Sequence, residues 1–200
     1  MPSRLKLIIS YDGALFAGWQ SQASRNTIQD CLEKAFYQIC SRPVRVHGAG
    51  RTDAGVHALA QCAHVDLPKP RYDPDRWVAA LNGLLPPAIR IMRCRFVSEA
   101  FHARFSAKGK TYRYRVWNAP VLPPLQSGRA WHVINVLDFE RMARAAEEFC
   151  GEHDFAAFRR TGEHLKQTPF VLFVQSACGE LVPPFPWNSM ATGSFTRWCE

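Results

Sequence analysis

The chain has 200 residues, a formal net charge of +8 and a sequence pI of about 9.4. Apolar residues make up 47% of it, which excludes a disordered chain and suffices for one large domain or two small ones. The positive charge favours a polyanionic partner, with nucleic acid before a membrane surface. No apolar run approaches the roughly 18 residues of a membrane span, and residues 1–6 do not lead into a secretory signal. We therefore expect a cytoplasmic protein that does not act on membranes.

The seven cysteines are scattered along the chain. None forms a Cys-x-x-Cys pair, and no group of cysteines and histidines has the spacing of metal ligands. This pattern is typical of reduced thiols that are buried as small apolar side chains, and it predicts no metal site. The cysteines are Cys31, Cys40, Cys62, Cys94, Cys150, Cys178 and Cys199.

Residues 5–10 have strand character, and a helix pattern follows them. Asn26, with Gln29 three residues further on, matches the N-cap pattern of a helix start. The apolar positions after Asn26 recur at helical spacing and predict one buried face. They are Ile28, Cys31, Leu32, Ala35, Phe36 and Ile39. Residues 44–46 and 58–65 are then predicted to be strands.

A second helix is predicted to begin at Asp73, with Pro74 in its first turn. Pro86 and Pro87 are predicted to end it, because proline cannot continue a helix. Its buried face consists of Trp77, Ala80, Leu81 and Leu84. Residues 89–96 then have the pattern of another strand.

Strand and helix patterns resume in a second block. Residues 111–117 predict a strand with Tyr112 and Tyr114 on one face and two arginines on the other. Asp138 is predicted to cap a helix that Gly151 ends. The apolar face of that helix comprises Met142, Ala145, Ala146 and Phe149. The two blocks indicate an α+β chain in two halves with antiparallel sheets.

The most informative segment is Gly-Arg-Thr-Asp-Ala-Gly-Val-His at residues 50–57. Its glycines permit the backbone to bend, so that Asp53 projects from a loop between two predicted strands. A loop acid held in this way is suited to direct one catalytic group into a cleft. Arg51 is a plausible partner, because a nearby guanidinium keeps a partly buried carboxylate ionised. A structural salt bridge is the alternative for Arg51.

Residues 50–57 resemble the signature loop of the TruA-type tRNA pseudouridine synthases. Five further segments resemble the same family in the same order, and the resemblance spans roughly residues 4–160. They are Ser-Tyr-Asp-Gly (10–13), Gly-Trp-Gln (18–20), Phe-His-Ala-Arg-Phe-Ser (101–106), Lys-Thr-Tyr-Arg-Tyr (110–114) and Gly-Glu-His-Asp-Phe (151–155). Such an ordered set is far more specific than one glycine-rich loop.

The resemblance implies an α+β fold of two ferredoxin-like halves. Their antiparallel sheets would join into one larger sheet, with an RNA-binding cleft between the halves. Residues 1–105 would form the half that carries the catalytic loop, and residues 106–166 the start of an incomplete second half. Residues 167–200 would be a tail foreign to the family. The resemblance also implies tRNA as a partner and a homodimer, provided that the second half is intact.

The resemblance implies an isomerisation of uridine to pseudouridine in the anticodon arm, at tRNA positions 38–40. The bond from uracil N1 to the ribose breaks, and the base rejoins the ribose through C5. No cofactor or metal is expected, because no electrons or outside groups are transferred. Asp53 matches the family's catalytic aspartate. Three routes stay open for it: attack on C1′, attack on uracil C6, or removal of a ribose proton.

The target uridine is stacked in a stem and must be flipped out, at a cost of a few kcal/mol. Tyr112 matches the family's pocket tyrosine, whose ring can lie on the uracil, although core packing is the usual role of a strand tyrosine. Arg51 would contact phosphate or fill the gap that the base leaves. His57, His102 and His153 are predicted to be structural. Phosphate contacts are predicted for Arg104, Lys108, Lys110, Arg113 and Arg115.

After about residue 166 the chain departs from the family pattern. Residues 183–187, Pro-Pro-Phe-Pro-Trp, suit neither a strand nor a helix interior. Family-like residues return when the last base of each codon is joined to the first two of the next; Met190 with Ala191, for example, then encodes glycine. We therefore expect a frameshift between about residues 161 and 167, with genuine divergence as the alternative. The loss of central strands would leave weak or no activity.

Two other classes of function stay open. An incomplete second half is consistent with a catalytically inactive, truncated RNA-binding protein. A hydrolase would use Asp53 with a second carboxylate, such as Asp12, since a glycosidase needs two acids on either side of one bond. No pairing of acids in the sequence favours that third reading.

Overall fold

The computed structural model describes residues 3–68, 72–149 and 171–178, the last segment as backbone. The chain divides into two compact units, Met1–Ala107 and Lys108–Glu200. Its helices and strands give a mixed α+β chain. The predicted boundary after residue 166 lies outside the described residues, and so do residues 183–187. The division into three segments and the frameshift therefore stay predictions.

The first unit is a four-stranded antiparallel sheet with two α-helices. Its strands lie in the order β2-β3-β1-β4, and each pairs antiparallel with its neighbour. In chain order the elements are β1 (Ser3–Tyr11), α1 (Ile28–Cys40), β2 (Val46–Gly48), β3 (Ala58–Leu67), α2 (Pro74–Leu84) and β4 (Ile89–Val97). The elements predicted between residues 5 and 96 are thus confirmed, with ends that differ by up to three residues.

One face of this sheet is apolar and forms the core with the helices. On β1 the buried Leu5, Leu7 and Ile9 alternate with Lys6 and Ile8, which point to the opposite face. Because the side chains of a strand alternate, the apolar face is fixed by the register with β3 and β4. The opposite face of the sheet carries the polar residues.

The two helices meet through aromatic side chains. Phe36 of α1 and Trp77 of α2 are fully buried, and their ring centroids lie 5.6 Å apart. Burial of such a side chain contributes about 1.5–3 kcal/mol to the free energy of folding. The predicted apolar face of α1 is confirmed, since all six of its residues are buried or half-buried.

The start of α1 differs from the prediction by one residue. Thr27, not Asn26, is the N-cap, and its Oγ1 accepts the Asp30 N–H at 3.2 Å. The side-chain amide of Asn26 instead donates to the carbonyl of Leu15 at 2.9 Å. Asn26 therefore fastens the preceding loop, and the next residue is left to cap the helix.

The start of α2 is as predicted, because Asp73 accepts the N–H of Arg76 at 2.9 Å. Trp77 and Leu81 are buried as expected. Leu84 is not, since 46% of it is exposed. The predicted buried face is therefore wrong in the last turn, where the helix ends.

The described part of the second unit has a three-stranded sheet and one α-helix. Its elements are β5 (Thr111–Asn118), β6 (Trp131–His132), α3 (Phe139–Glu147) and β7 (Val171–Cys178). The order is β6-β5-β7, and β5 runs parallel to both neighbours. The antiparallel sheet predicted for this half is wrong there. The chain passes through α3 and returns directly beside β5, as a parallel pair requires, whereas in the first unit β3 separates β1 from β2.

Helix α3 is capped as predicted, with Asp138 accepting the N–H of Arg141 at 2.9 Å. None of its residues is buried, although its apolar residues share one face as predicted. The end predicted at Gly151 lies outside the described residues. The joining of the two sheets into one larger sheet stays a prediction.

Candidate active site

Residues 50–57 form an irregular loop that joins β2 to β3. The base of the loop is closed by two hydrogen bonds: Ala49 N–H donates to the Cys62 carbonyl at 2.8 Å, and the Gln61 side chain donates to the Gly50 carbonyl at 2.8 Å. Asp53 lies beyond these bonds and is exposed. The predicted placement of an acid on a loop between two strands is thus confirmed.

The residue before Asp53 is held by two aromatic residues, one at the end of β1 and one in the segment that follows it. The backbone N–H of Trp19 donates to the Thr52 carbonyl at 2.9 Å, and the Tyr11 hydroxyl lies 2.9 Å from Thr52 Oγ1. Tyr11 and Trp19 are both buried. Because Thr52 is fixed through its backbone and its side chain, the position at which Asp53 leaves the loop is also fixed.

Two glycines allow this segment to approach the loop closely. Gly18 has a φ of +98°, and a Cβ on it would lie 2.7 Å from the Thr52 oxygen and 3.1 Å from the Asp53 carbonyl carbon. A Cβ on Gly13 would lie 2.0 Å from the Val56 oxygen. Larger residues would displace the loop. The Ser-Tyr-Asp-Gly and Gly-Trp-Gln segments therefore form the seat of the loop that carries Asp53.

His57 fastens the far end of the loop. Its Nδ1 lies 3.2 Å from the Gly13 nitrogen and 3.0 Å from Asp12 Oδ1. The same Asp12 oxygen accepts the Ala14 N–H at 3.0 Å. These contacts agree with the structural role predicted for His57. They also engage the carboxylate of Asp12, which the hydrolase reading needs as its second acid.

The three predicted site residues lie in different surroundings. Arg51 and Asp53 are both exposed, and no ion pair joins them within residues 3–68 and 72–149. Tyr112 lies on β5 in the second unit and is 36% exposed. Burial raises the pKa of its phenol, and the neighbouring Tyr114 adds to this shift. The role of each residue, and the approach of Tyr112 to Asp53, stay predictions.

A cluster of three histidines lies on the polar side of the first sheet. The ring of His64 stacks on that of His47 at 4.9 Å and meets that of His102 edge-on at 4.6 Å. Burial lowers the pKa of His64 to about 4, with Arg4 and the other two histidines adding. The sequence predicts a structural role for His102 but does not group it with His47 and His64. The signal that would group them is the pairing of His47 with His64 on neighbouring strands. This pairing can be recognised only when the register of β2 and β3 is known.

The described residues contain neither a candidate metal site nor a candidate membrane span. No group of three or more histidine, cysteine, aspartate or glutamate side chains there is placed to hold a metal ion. No helix among those residues is both long and apolar enough to cross a membrane.

The first unit defines the class of protein. A family model described as tRNA pseudouridine synthase matches residues 7–106, from β1 to just beyond β4. This match covers half of the chain and contains the loop with its seat. The chain therefore belongs to the tRNA pseudouridine synthase family.

Similar proteins carry the name tRNA pseudouridine synthase A. The chain is 48% identical to that of Akkermansia muciniphila over 78% of its own length and 59% of the relative's. It is 48% identical to that of Solidesulfovibrio magneticus, over 83% of this chain and 62% of the relative. For Rhodopseudomonas palustris strain HaA2 the identity is 48%, over 79% and 64%. The chain thus spans about 60% of the length of the curated relatives it matches.

Proposed function

We propose that the chain acts on tRNA as a pseudouridine synthase and isomerises uridine in the anticodon arm, at positions 38–40, with Asp53 as the catalytic carboxylate. The observation that carries this proposal is the fixed seat of the loop. Buried aromatic residues and two closely packed glycines hold the backbone beside Asp53, while the carboxylate itself stays exposed to a substrate. A catalytic group needs this combination of a rigid support and an open approach.

The reaction requires one bond to break and one to form within the same nucleotide. The bond between N1 and C1′ breaks, C5 bonds to C1′, the proton on C5 leaves to solvent, and N1 takes up a proton, so that the nucleotide keeps its composition. A single carboxylate can begin this sequence as nucleophile or base. Because the reaction is redox-neutral and transfers no outside group, we expect it to need neither a cofactor nor a metal.

The tRNA partner is supported by charge. The net charge is +8, and Arg51 lies exposed on the loop that carries Asp53. We propose that Arg51 contacts a phosphate or occupies the gap left by the flipped uridine. Arg113 and Arg115 are exposed on β5 and offer further phosphate contacts.

Tyr112 is proposed to stack on the flipped base. A partly exposed tyrosine on a strand can present its ring to a base, and 36% of Tyr112 is exposed. Stacking of this kind returns part of the cost of base flipping. The proposal requires the second unit to bring Tyr112 to Asp53.

We propose that the first unit is a ferredoxin-like half and that the whole protein is a cytoplasmic homodimer. The first unit supports this through its order of elements, strand-helix-strand-strand-helix-strand, with β1 between β3 and β4. The homodimer is proposed from the resemblance to the family.

A catalytically inactive RNA-binding protein is the second candidate. It is favoured by the described part of the second unit. There, α3 has no buried residue, and Val116 is the only buried residue of β5. A loosely packed second unit would still offer cations to RNA but would not hold Tyr112 in a defined position.

One experiment separates these functions. The native chain and its Asp53→Ala variant are compared for tRNA binding and for pseudouridine, measured by chromatography of digested tRNA. The synthase proposal expects product from the native chain only, with equal binding by both. An inactive RNA-binding protein would bind tRNA without product in either case, and release of free uracil would indicate a hydrolase. Asp75→Asn, an exposed carboxylate on α2, is the control and should change neither readout.

A further inference from the structure

Residues 98–106 form a strap that follows β4 and crosses the polar side of the first sheet. Arg4 of β1 donates to two strap carbonyls, those of Glu99 and Phe101. The same guanidinium makes two parallel bonds to the Asp66 carboxylate, at 2.7 and 2.8 Å. Paired bonds of this kind fix the plane of the guanidinium, so the first part of the strap is held in one place.

His64 holds the middle of the strap. Its Nδ1 accepts the backbone N–H of Ala103 at 3.1 Å, and only 1% of His64 is exposed. Ala103 is also buried. Loss of this acceptor would leave a buried N–H without its partner, which is costly. His64 must stay neutral at Nδ1 to accept this bond.

The strap turns sharply after Ala103, and hydrogen bonds within it fix the turn. His102 N–H donates to Ser106 Oγ at 3.0 Å, and Ser106 N–H donates to the His102 carbonyl at 2.8 Å. The Nδ1 atom of His102 accepts the N–H of Arg104 at 3.2 Å. The turn presents Arg104 outward beside Phe105, which is 80% exposed and whose ring lies tilted against that of His102 at 4.4 Å.

We propose that His64 is a positioning residue: by holding Ala103 it orients the next residue, Arg104, to contact a phosphate of the tRNA. The inference rests on the proposed function, since it assumes that tRNA is the substrate. Arg104 is exposed and follows the one strap residue that is fully enclosed. A guanidinium whose backbone is fixed loses less conformational entropy on binding than a free one. The bond between His64 and Ala103 should therefore strengthen the binding of a phosphate by Arg104.

The groups around His64 keep it neutral. Arg4 and Lys6 of β1 supply positive charge, and Asp66 of β3 is the nearest negative group, already paired with Arg4. The His47 and His102 rings face it from β2 and from the strap. A proton on His64 would add a positive charge beside those of Arg4 and Lys6, with little negative charge to offset it. At neutral pH the imidazole therefore stays neutral, and Nδ1 can accept the N–H of Ala103.

The test is a double-mutant cycle on tRNA affinity in the full chain. Arg104→Gln should weaken binding about fivefold and lower the slope of log affinity against log salt by about one. His64→Gln moves the acceptor away from the Nδ1 position and should cause the same loss. The double variant should bind no more weakly than Arg104→Gln. Once the guanidinium is removed, the placement of residue 104 no longer affects a phosphate contact. His64→Asn keeps an oxygen near the Nδ1 position and should bind as the native chain does.

Amide exchange of Ala103 supplies the structural readout. It should be fast in His64→Gln and slow in His64→Asn; if His64→Gln does not fold, His64→Ser, which also has no acceptor at the Nδ1 position, replaces it in the cycle. Arg45→Ala, which breaks the looser pair of Arg45 with Glu33 at 3.8 Å, should change neither readout.

The inference is overturned if His64→Gln binds tRNA as tightly as the native chain, or if the two losses multiply to about 25-fold. Absence of pseudouridine would count against the proposed function alone, because the cycle is read from affinity. Absence of tRNA binding by the native chain would overturn both.

Discussion

The two units differ in what their elements bury. Helix α1 buries six of its residues, whereas α3 buries none. Among the described residues, every buried apolar side chain except Val116 lies in the first unit. Several large apolar residues of the second unit are exposed instead, among them Val121, Leu125, Trp131 and Val136.

This contrast separates helix formation from helix packing. Both α1 and α3 have a capping residue and apolar residues on one face. Among the described residues, α1 packs that face against another helix and the first sheet, whereas α3 contacts β7 without burying any residue. Most of a helix's stability in a protein comes from such packing. We therefore expect the first unit to account for nearly all of the chain's resistance to unfolding.

The largest effect should come from removing a core aromatic side chain. Trp77→Ala should lower the free energy of unfolding by about 3–5 kcal/mol, because Trp77 is fully buried against Phe36. Trp131→Ala should change it by less than about 0.5 kcal/mol, since Trp131 is 72% exposed. Urea unfolding measures both. Similar losses would mean that the second unit has a core of its own.

Acid should weaken the first unit through His64. Its pKa is about 4 in the folded chain, below the ordinary value of 6.5, so between these values the unfolded chain binds more protons. The contribution of neutral His64 to the free energy of unfolding is complete above pH 6.5. It is lost as the pH falls towards 4, by up to about 3 kcal/mol. The unfolding free energy measured against pH should lose this slope in His64→Asn. An unchanged slope would assign the acid sensitivity to other groups.

A matched pair of glycine variants tests the seat of the loop. Gly18→Ala should cost about 1–3 kcal/mol, because alanine is strained at the φ of +98° and its Cβ would meet the Thr52 oxygen. Gly83→Ala lies within α2, where a Cβ meets nothing within 4 Å, and should stabilise by about 0.5–1 kcal/mol. Thermal unfolding measures the opposite signs. A neutral Gly18→Ala would show that the loop tolerates displacement.

The smallest effect comes from the helix caps, which accept the same kind of hydrogen bond, at 2.9 Å, in the two units. Asp73→Ala should reduce the protection of β1 amides from hydrogen exchange by about 1 kcal/mol. Asp138→Ala removes an equivalent bond from α3 and should leave the β1 amides unaffected. Equal effects of the two variants on β1 would mean that the units unfold together.

Local patterns in the sequence predicted much of the first unit. The spacing of Leu32, Ala35 and Phe36 located α1 and its buried face, and Asp73 located the start of α2. These features depend on neighbours within a few residues. The cap at Thr27 was missed because Asn26 has an equally suitable side chain, and only its bond to Leu15 decides between the two residues.

Features that depend on contacts between distant parts of the chain are harder to predict from the sequence. The parallel pairing of β5 with β7 depends on the path taken through α3, which periodicity does not specify. The bond between His64 and Ala103 spans 39 residues. The motif itself identified Asp53, but not the contacts of Gly18 and Trp19 with the neighbouring backbone.

The most direct test of the account is single-turnover formation of pseudouridine, with the chain in excess over tRNA so that slow activity is detected. We expect weak, slow formation of product by the native chain and none by Asp53→Asn, with equal tRNA affinity for the two. Pseudouridine formed by Asp53→Asn at the native rate would contradict the central role given to this carboxylate.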